Sequence, residues 1–183
     1  VLLEKLPREI STSTFFRKAS KLRWAPIVGI HVWFDRWITD LEVAAYLGSE
    51  IQWLFNKSRI QNQPLDQGQY LCISLSGAWQ YVDVPQVELE RYFIEELRKL
   101  FPAARGAVVK RVLVIKQRQA TFIPDLDSNE GRLSSLTPLS NLFLAGDWTD
   151  TGWPATMEGA VRSGNTAARA VASWMSGAED EAQ

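Results

Sequence analysis

The spacing of hydrophobic residues predicts a long amphipathic helix near the middle of the chain. Across residues 85–102 the side chains of Leu89, Phe93, Leu97 and Leu100 recur at helical intervals, while glutamate and arginine fill the opposite face. A proline stands at each end of this segment, where it suits a helix start and a helix stop.

Segments rich in β-branched and aromatic residues predict the strands. Turn-forming residues separate them, and the four clearest strands cover residues 27–34, 51–56, 69–77 and 107–117. The apolar run 141–146 predicts a further short strand, and the segment 156–175 predicts the last helix. Near the start, residues 11–22 predict a short helix with a serine N-cap and a stop at Pro26.

These elements predict an α+β fold in two domains. Residues 1–120 form a small module with three or four strands and one long helix, and residues 121–183 end in a single strand-turn-helix unit. Such a unit cannot bury its own faces, so we expect it to dock on a sheet that lies outside this sequence. The chain begins with valine, and we expect it to be the C-terminal piece of a longer protein.

Composition and charge exclude several classes of protein. The chain is 46% hydrophobic, which supports a sizeable core, and its 20 basic and 21 acidic residues argue against a nucleic-acid binder. With Cys72 as the only cysteine and His31 as the only histidine, an internal disulfide and a Cys/His zinc site are impossible, and we expect no metal. A Ser-His-Asp triad is disfavoured because no nucleophile-elbow motif is present.

The first candidate site residues follow the apolar run 141–146. Gly146 and Asp147 would lie at the carboxyl end of a strand, the edge where open α/β sheets bind ligands. Glycine permits close approach of a ligand to the backbone, and a carboxylate accepts hydrogen bonds from sugar-type hydroxyls. The alternative is that Asp147 only caps a turn.

The start of the last helix adds a second candidate feature. Backbone N–H groups of Thr156, Met157 and Glu158 would be exposed in its first turn, where the helix dipole favours negative charge. Two stripes of small residues follow at intervals of four: Gly159, Ser163 and Ala167, and Ala160, Gly164 and Ala168. Tight helix packing explains the stripes, but it does not explain a glycine in the first turn, which costs up to about 1 kcal/mol against alanine.

Together these residues resemble a known family. The stretch NLFLAGDWTDTGWPATMEGAVRSG, residues 141–164, is similar to the C-terminal signature of the flavin-containing amine oxidoreductase and phytoene desaturase superfamily. Within it the likeness is greatest to the hydroxysqualene dehydroxylases, supported by PIVGIHVWFDR, IQWLFNK and KQRQATFIP. The resemblance implies a substrate-binding portion in residues 1–120 and, in residues 121–183, the last strand-helix unit of a Rossmann-like FAD-binding domain.

The resemblance implies FAD as the cofactor and assigns residues to it. Gly146 and Asp147 would lie beside the flavin ribityl and pyrophosphate, and Trp153 would face the ring. The turn and helix start would lie against the pyrimidine edge of the ring, and the complete implied cofactor-binding set is Gly146, Asp147, Trp153, Pro154, Ala155, Thr156, Met157 and Glu158. No three glycines have the Gly-x-Gly-x-x-Gly spacing that grips the ADP half, so we expect the missing N-terminal part to supply it.

The implied activity is an FAD-dependent oxidation or reduction of a long isoprenoid. The lead interpretation is the reductive dehydroxylation of hydroxysqualene to squalene in bacterial hopanoid biosynthesis. The alternatives are a carotenoid-type desaturase, another flavoenzyme of the amine oxidase family, and a non-catalytic fragment without the dinucleotide motif. The expected location is the bacterial cytoplasm, with peripheral contact to the inner membrane, and the isolated chain would be inactive.

An isoprenoid substrate requires an apolar tunnel, and strand-borne aromatic residues could line it. Trp53 and Phe55 share one face of their strand and are the first candidates, together with Trp33; the alternative is that they belong to an ordinary core. His31 is either a hydrogen-bonded strand histidine or an acid. Cys72 is expected to be buried and inert, and no catalytic residue is identified.

Overall fold

The computed structural model describes residues 5–177 and divides the chain into two compact units. One unit is Trp24–Thr121, and the other consists of the described parts of residues 1–23 and 122–183. The domain boundary predicted from the sequence lay at residue 120 and grouped the first 23 residues with the strands that follow. The substrate-binding and cofactor-binding roles of those domains stay predictions.

Five strands and seven α-helical segments make up the described chain. The strands are β1 (Trp24–Phe34), β2 (Val43–Ala45), β3 (Trp53–Asn56), β4 (Gln69–Ser76) and β5 (Val109–Phe122). The helices are α1 (Arg8–Ser11), α2 (Thr14–Arg17), α3 (Lys57–Ile60), α4 (Trp79–Val82), α5 (Gln86–Leu100), α6 (Ser128–Gly131) and α7 (Met157–Met175). Helices beside a sheet whose paired strands run antiparallel confirm the predicted α+β class.

A five-stranded sheet is the centre of the unit Trp24–Thr121. Its strand order is β2-β3-β4-β1-β5, and the β1–β4, β3–β4 and β2–β3 pairs are antiparallel. Strand residues alternate between buried and half-buried along β1 and β4, as the period of two requires. The sheet therefore has one fully covered face and one that is only partly covered.

Helix α5 belongs to the covered face, because its apolar stripe and the buried strand residues form one core. Leu89, Phe93 and Leu97 are at most 1% exposed, as the helical spacing predicted. They pack with buried residues from three strands: Val28, Ile30, Val32, Phe34, Leu54, Leu71, Ile73 and Leu75. Truncation of a ring such as Phe93 to alanine in this core would cost about 3–5 kcal/mol.

The second unit joins the first described residues to the C-terminal part of the chain. A small core contains Phe16, Leu133 and Leu144. Two ion pairs tie the segments together: Lys21 with Glu130, and Arg23 with Asp125. The N-terminal segment is thus an integral part of the unit that carries α7.

The predicted last strand, residues 141–146, is wrong. This segment makes an isolated antiparallel bridge between Leu136 and Phe143, and the Leu144 amide donates to the carbonyl of Ser135 at 2.9 Å. The apolar pattern of this segment reflects the burial of Leu144 in the small core. A strand needs a neighbour along its whole length, and the described chain does not provide one here.

Two other predicted elements differ from the structure. The helix expected over 11–22 is two single turns followed by a 3-10 turn, Lys18–Lys21, and Pro26 lies inside β1 and does not stop a helix. β5 continues to Phe122, past its predicted end at Gln117. The short elements β2 and α4 were not predicted, because three or four residues carry too little periodicity.

Candidate functional site

A turn after Leu144, which we call the acidic turn (Gly146–Asp150), is fixed by backbone contacts to α7 and within itself. The Gly146 amide donates to Ser163 Oγ at 2.8 Å. Its carbonyl accepts from the amide of Thr149 at 3.1 Å and from the Thr149 hydroxyl at 2.8 Å. Since Ser163 and Thr149 are fully buried, the turn is held rigidly against the helix.

Gly146 serves the fold of this turn and does not open space for a ligand at its own α-carbon. It has φ 142°, which non-glycine residues rarely adopt. A Cβ here would lie 2.5 Å from Trp148 Nε1, so the indole occupies that space. The Cβ side of Gly146 is therefore filled by the indole, and the interpretation that this residue admits a ligand to the backbone stays a prediction.

Arg132 supports the acidic turn, and the sequence analysis did not find it. Its Nη2 donates to the carbonyls of Thr149 at 2.6 Å and Asp147 at 3.2 Å. Its Nε is buried without a hydrogen-bond partner among the described residues. Arg132 is a lone arginine in a loop, and its sequence neighbours give no signal of this contact, whose partners are 15 and 17 residues away.

The Asp147 side chain is left available by these contacts. Its main-chain carbonyl is bound by Arg132, but its half-buried carboxylate has neither a hydrogen bond nor an ion pair within residues 5–177. A turn-capping carboxylate would accept a nearby amide. In the described structure Asp147 does not cap the turn through its side chain, and its two oxygens remain free to accept.

The start of α7 is capped, and two of its amides remain open. Thr156 is the N-cap, and its Oγ1 accepts from the Gly159 amide at 3.2 Å. Thr156 also accepts the Ala160 amide through its carbonyl at 3.0 Å. The amides of Met157 and Glu158 make no hydrogen bond to any described residue. Two of the three predicted helix-start donors, Met157 and Glu158, therefore have unbonded amides, whereas Thr156 acts as the cap.

Gly159 has a packing explanation. It is buried, and a Cβ on it would lie 2.7 Å from the carbonyl oxygen of Pro154. The chain therefore needs glycine so that the segment before α7 can cross its first turn closely. This contact explains the unfavourable residue that the sequence analysis ascribed to a ligand.

The segment between the acidic turn and α7 is open to solvent. Gly152, Trp153 and Pro154 are exposed and Ala155 is half-buried. Trp153 is braced by the Arg162 guanidinium, which lies 4.1 Å from the ring centroid and also pairs with Glu158 at 2.8 Å. The predicted cofactor residues thus lie in two solvent-accessible stretches, residues 146–147 in the acidic turn and residues 153–158 at the helix start, which together we call the open rim.

The three predicted substrate residues lie on the partly covered face of the sheet, which we call the aromatic face. Strand pairing places Phe55 opposite Cys72 and Trp33 opposite Tyr70, so their side chains share that face. The other central members follow from the same registers, and the central part of the face is Gly29, His31, Trp33, Trp53, Phe55, Tyr70, Cys72 and Ser74. None of them is buried, which argues against an ordinary core.

Ring contacts order the aromatic face. Trp33 stacks on Tyr70 with centroids 4.4 Å apart, and Trp53 stacks on Phe55 at 6.4 Å. The guanidinium of Arg111 lies 5.0 Å from the Trp33 ring. A flat, apolar and partly exposed surface results, in which the rings are held in place by one another.

His31 and Cys72 provide the chemistry on this face. His31 Nδ1 lies 2.7 Å from the Tyr70 hydroxyl, a partner that the sequence analysis did not find. Burial lowers the pKa of His31, with a further contribution from Lys57. Burial also raises the pKa of the Cys72 thiol. Cys72 is half-buried, not buried as expected, and its raised pKa is consistent with an inert thiol.

Comparison with known proteins identifies the family. The pattern of the family described as flavin containing amine oxidoreductase matches residues 2–172. The chain belongs to this family. The resemblance inferred from residues 141–164 is confirmed.

Relatives with assigned activities fall into two groups. The chain is 37% identical over 122 residues to hydroxysqualene dehydroxylase of Rhodopseudomonas palustris, covering 67% of this chain and 26% of that protein. It is 32% identical over 145 residues to hydroxysqualene dehydroxylase of Sinorhizobium fredii, covering 78% of this chain and 31% of that protein. It is 25% identical over 174 residues to 15-cis-phytoene desaturase of Synechococcus elongatus, covering 91% of this chain and 36% of that protein. The chain thus spans about a quarter to a third of these relatives.

Solved structures share the fold. An oxidoreductase from Methanosarcina mazei matches with a TM-score of 0.60 at 17% identity, over 91% of this chain and 39% of that chain. A structure from Exiguobacterium sp. 255-15 matches with a TM-score of 0.64 at 12% identity, over 86% of this chain and 36% of that chain. Within residues 5–177, no helix has the length and apolar character needed to cross a membrane.

Proposed function

We propose that the protein containing this chain is an FAD-dependent oxidoreductase that converts hydroxysqualene to squalene in hopanoid biosynthesis. Two relatives named hydroxysqualene dehydroxylase are 37% and 32% identical to the chain, against 25% for the phytoene desaturase. The reaction replaces a C–O bond by a C–H bond, and reduced flavin supplies the hydride chemistry. The bacterial cytoplasm, in peripheral contact with the inner membrane, is the location that suits so apolar a substrate.

The open rim around the start of α7 carries this proposal. It offers the unbonded amides of Met157 and Glu158 as donors, and the unpaired carboxylate of Asp147 as an acceptor for ribityl hydroxyls. The buried, unpartnered Nε of Arg132 adds a donor and a positive charge beneath the turn. This donor set fits a cofactor that combines hydroxyls, ring carbonyls and an anionic pyrophosphate. Trp153 is exposed and braced, and would contact the ring.

The aromatic face is the proposed surface for the isoprenoid. Trp33, Trp53 and Phe55 present stacked rings that are exposed or half-buried, and such a surface gains free energy when an apolar chain covers it. The rest of the site would come from an N-terminal part of the same protein, which would also supply the dinucleotide-binding motif. Helix α7 buries only Gly159 and Ser163 among its 19 residues, which leaves an extensive surface for that part to cover.

A direct test uses the full-length protein. We expect its visible spectrum to contain flavin bands, and anaerobic incubation with a reductant and hydroxysqualene to yield squalene. A preparation that binds no flavin under any refolding or reconstitution condition would contradict the enzyme proposal.

A carotenoid-type desaturase is the second candidate within the family, favoured by the match to phytoene desaturase over 91% of the chain. It predicts flavin bands together with oxidation of phytoene and no squalene product. A non-catalytic protein, suggested by the absence of a Gly-x-Gly-x-x-Gly in this sequence, predicts neither flavin nor turnover.

A further inference from the structure

A single polar pair stands in the middle of the aromatic face. His31 on β1 and Tyr70 on β4 are joined by the 2.7 Å contact between Nδ1 and the phenolic oxygen. Trp33 stacks on Tyr70, and its ring centroid is 6.3 Å from that of His31, so an aromatic ring lies beside the pair. A hydrocarbon lying on this face would cover the pair and leave its remaining hydrogen-bonding groups unsatisfied, at a cost.

The pair offers the same two groups whichever tautomer His31 adopts. When the Tyr70 hydroxyl donates to Nδ1, the Nε2–H is left as a donor and the phenolic oxygen as an acceptor. When Nδ1–H donates to Tyr70, the phenolic O–H is left as the donor and Nε2 as the acceptor. Either open group can pair with an alcohol hydroxyl, which both donates and accepts.

Gly29 keeps the space beside His31 open. It lies in the interior of β1, where glycine weakens a strand and commonly marks a close approach by another group. A Cβ at this position would be 3.4 Å from His31 Nε2, the second nitrogen of the ring. The backbone at Gly29 therefore lies next to the group that a ligand hydroxyl would meet.

We infer that the His31–Tyr70 pair binds the hydroxyl of an isoprenoid alcohol and makes the aromatic face selective for that alcohol over the corresponding hydrocarbon. This inference rests on the proposed function and deepens it, because it separates a hydroxylated substrate from a hydrocarbon such as phytoene. Burial lowers the pKa of His31 and raises the pKa of Tyr70, so both groups are neutral near pH 7 and suit an uncharged ligand.

The test measures binding of hydroxysqualene and squalene to the oxidised full-length protein without reductant, so that no turnover occurs. Tryptophan fluorescence in matched detergent micelles gives a Kd for each ligand. We expect hydroxysqualene to bind about 5–10-fold more tightly, the range of one or two net hydrogen bonds. Tyr70→Phe, which keeps the ring stacked on Trp33, and His31→Phe should each reduce this ratio towards one. Tyr92→Phe, on helix α5 at the covered side of the sheet, should leave it unchanged.

The outcomes separate the inference from the proposed function. Loss of the preference in Tyr70→Phe and His31→Phe, with thermal unfolding like that of Tyr92→Phe, supports the inference. A preference that survives both substitutions, or equal affinities in the unmodified protein, overturns the inference and leaves isoprenoid binding intact. If neither ligand binds the unmodified protein, the proposed function fails and the inference fails with it.

Discussion

The amide of Gly146 donates a 2.8 Å hydrogen bond to the hydroxyl of Ser163, two turns into α7. Ser163 in turn donates to the carbonyl of Ala160 at 2.7 Å, which fixes the direction of its lone pairs. The acidic turn and the helix start that carry the proposed cofactor residues are thus joined through one buried hydroxyl.

Ser163→Ala should lower the free energy of unfolding by about 1–3 kcal/mol, because the Gly146 amide loses its acceptor in a site that water does not reach easily. It should also lower the flavin content of the purified full-length protein. Chemical denaturation and the ratio of flavin to protein absorbance measure the two effects. Thr166→Ala is the matched control, since the Thr166 hydroxyl bonds only within its own helix. Equal effects of the two substitutions would contradict a role for the Ser163 contact.

Two glycines of α7 should respond differently to alanine. Gly159→Ala places a Cβ 2.7 Å from the Pro154 carbonyl, and we expect destabilisation by about 1–3 kcal/mol. A Cβ in Gly164→Ala meets no atom of residues 5–177 within 4 Å, so the higher helix propensity of alanine should make the change neutral or stabilising by up to about 1 kcal/mol. Thermal unfolding of this chain compares them. A stabilising Gly159→Ala would show that the close crossing does not form.

Asp147→Asn should weaken flavin retention without lowering the stability of the apoprotein. Its carboxylate has no partner within the described residues, so its removal breaks no internal contact, and the main-chain bond to Arg132 remains. Flavin release during gel filtration of the full-length protein, with denaturation of the apoprotein, tests both parts. Asp150→Asn, in the same turn, controls for the loss of charge. If Asp147→Asn retained flavin fully, the residue would have no role in cofactor binding.

The sequence predicted those elements whose pattern is long and self-contained. Leu89, Phe93 and Leu97 recur every four residues along a helix of 15 residues, so the bounds of α5 were predicted almost to the residue. Helix α7 was predicted from the helix-start signals near Thr156. Residues 141–146 have an equally apolar pattern, yet burial of Leu144 in a small core does not require a strand. The periodicity of apolar residues indicates which side chains are buried. A strand also requires a neighbouring strand that binds its backbone N–H and C=O groups.

The candidate site was predicted in part for a related reason. The open rim follows from local signals, a turn and a helix start, and these residues are adjacent in the chain. The contacts of Arg132 with the acidic turn and of His31 with Tyr70 join residues 15 to 39 positions apart. Such pairs depend on the register between segments, and single residues carry no signal of it.

The free energy of unfolding should decrease on mild acidification, because His31 has a lowered pKa in the folded state. Burial and Lys57 lower the pKa of His31 in the folded state, so the unfolded state binds more protons near and below its ordinary pKa of about 6.5. The stabilising contribution is therefore present above that pH and is lost as the pH falls through the folded-state value. Tyr70 and Cys72 beside it are neutral throughout this range, because burial raises the pKa of both. Urea denaturation at pH 7.5 and 5.5 should show a larger loss in the unmodified protein than in His31→Phe, with Lys57→Met intermediate. An equal loss in all three proteins would place the proton uptake elsewhere.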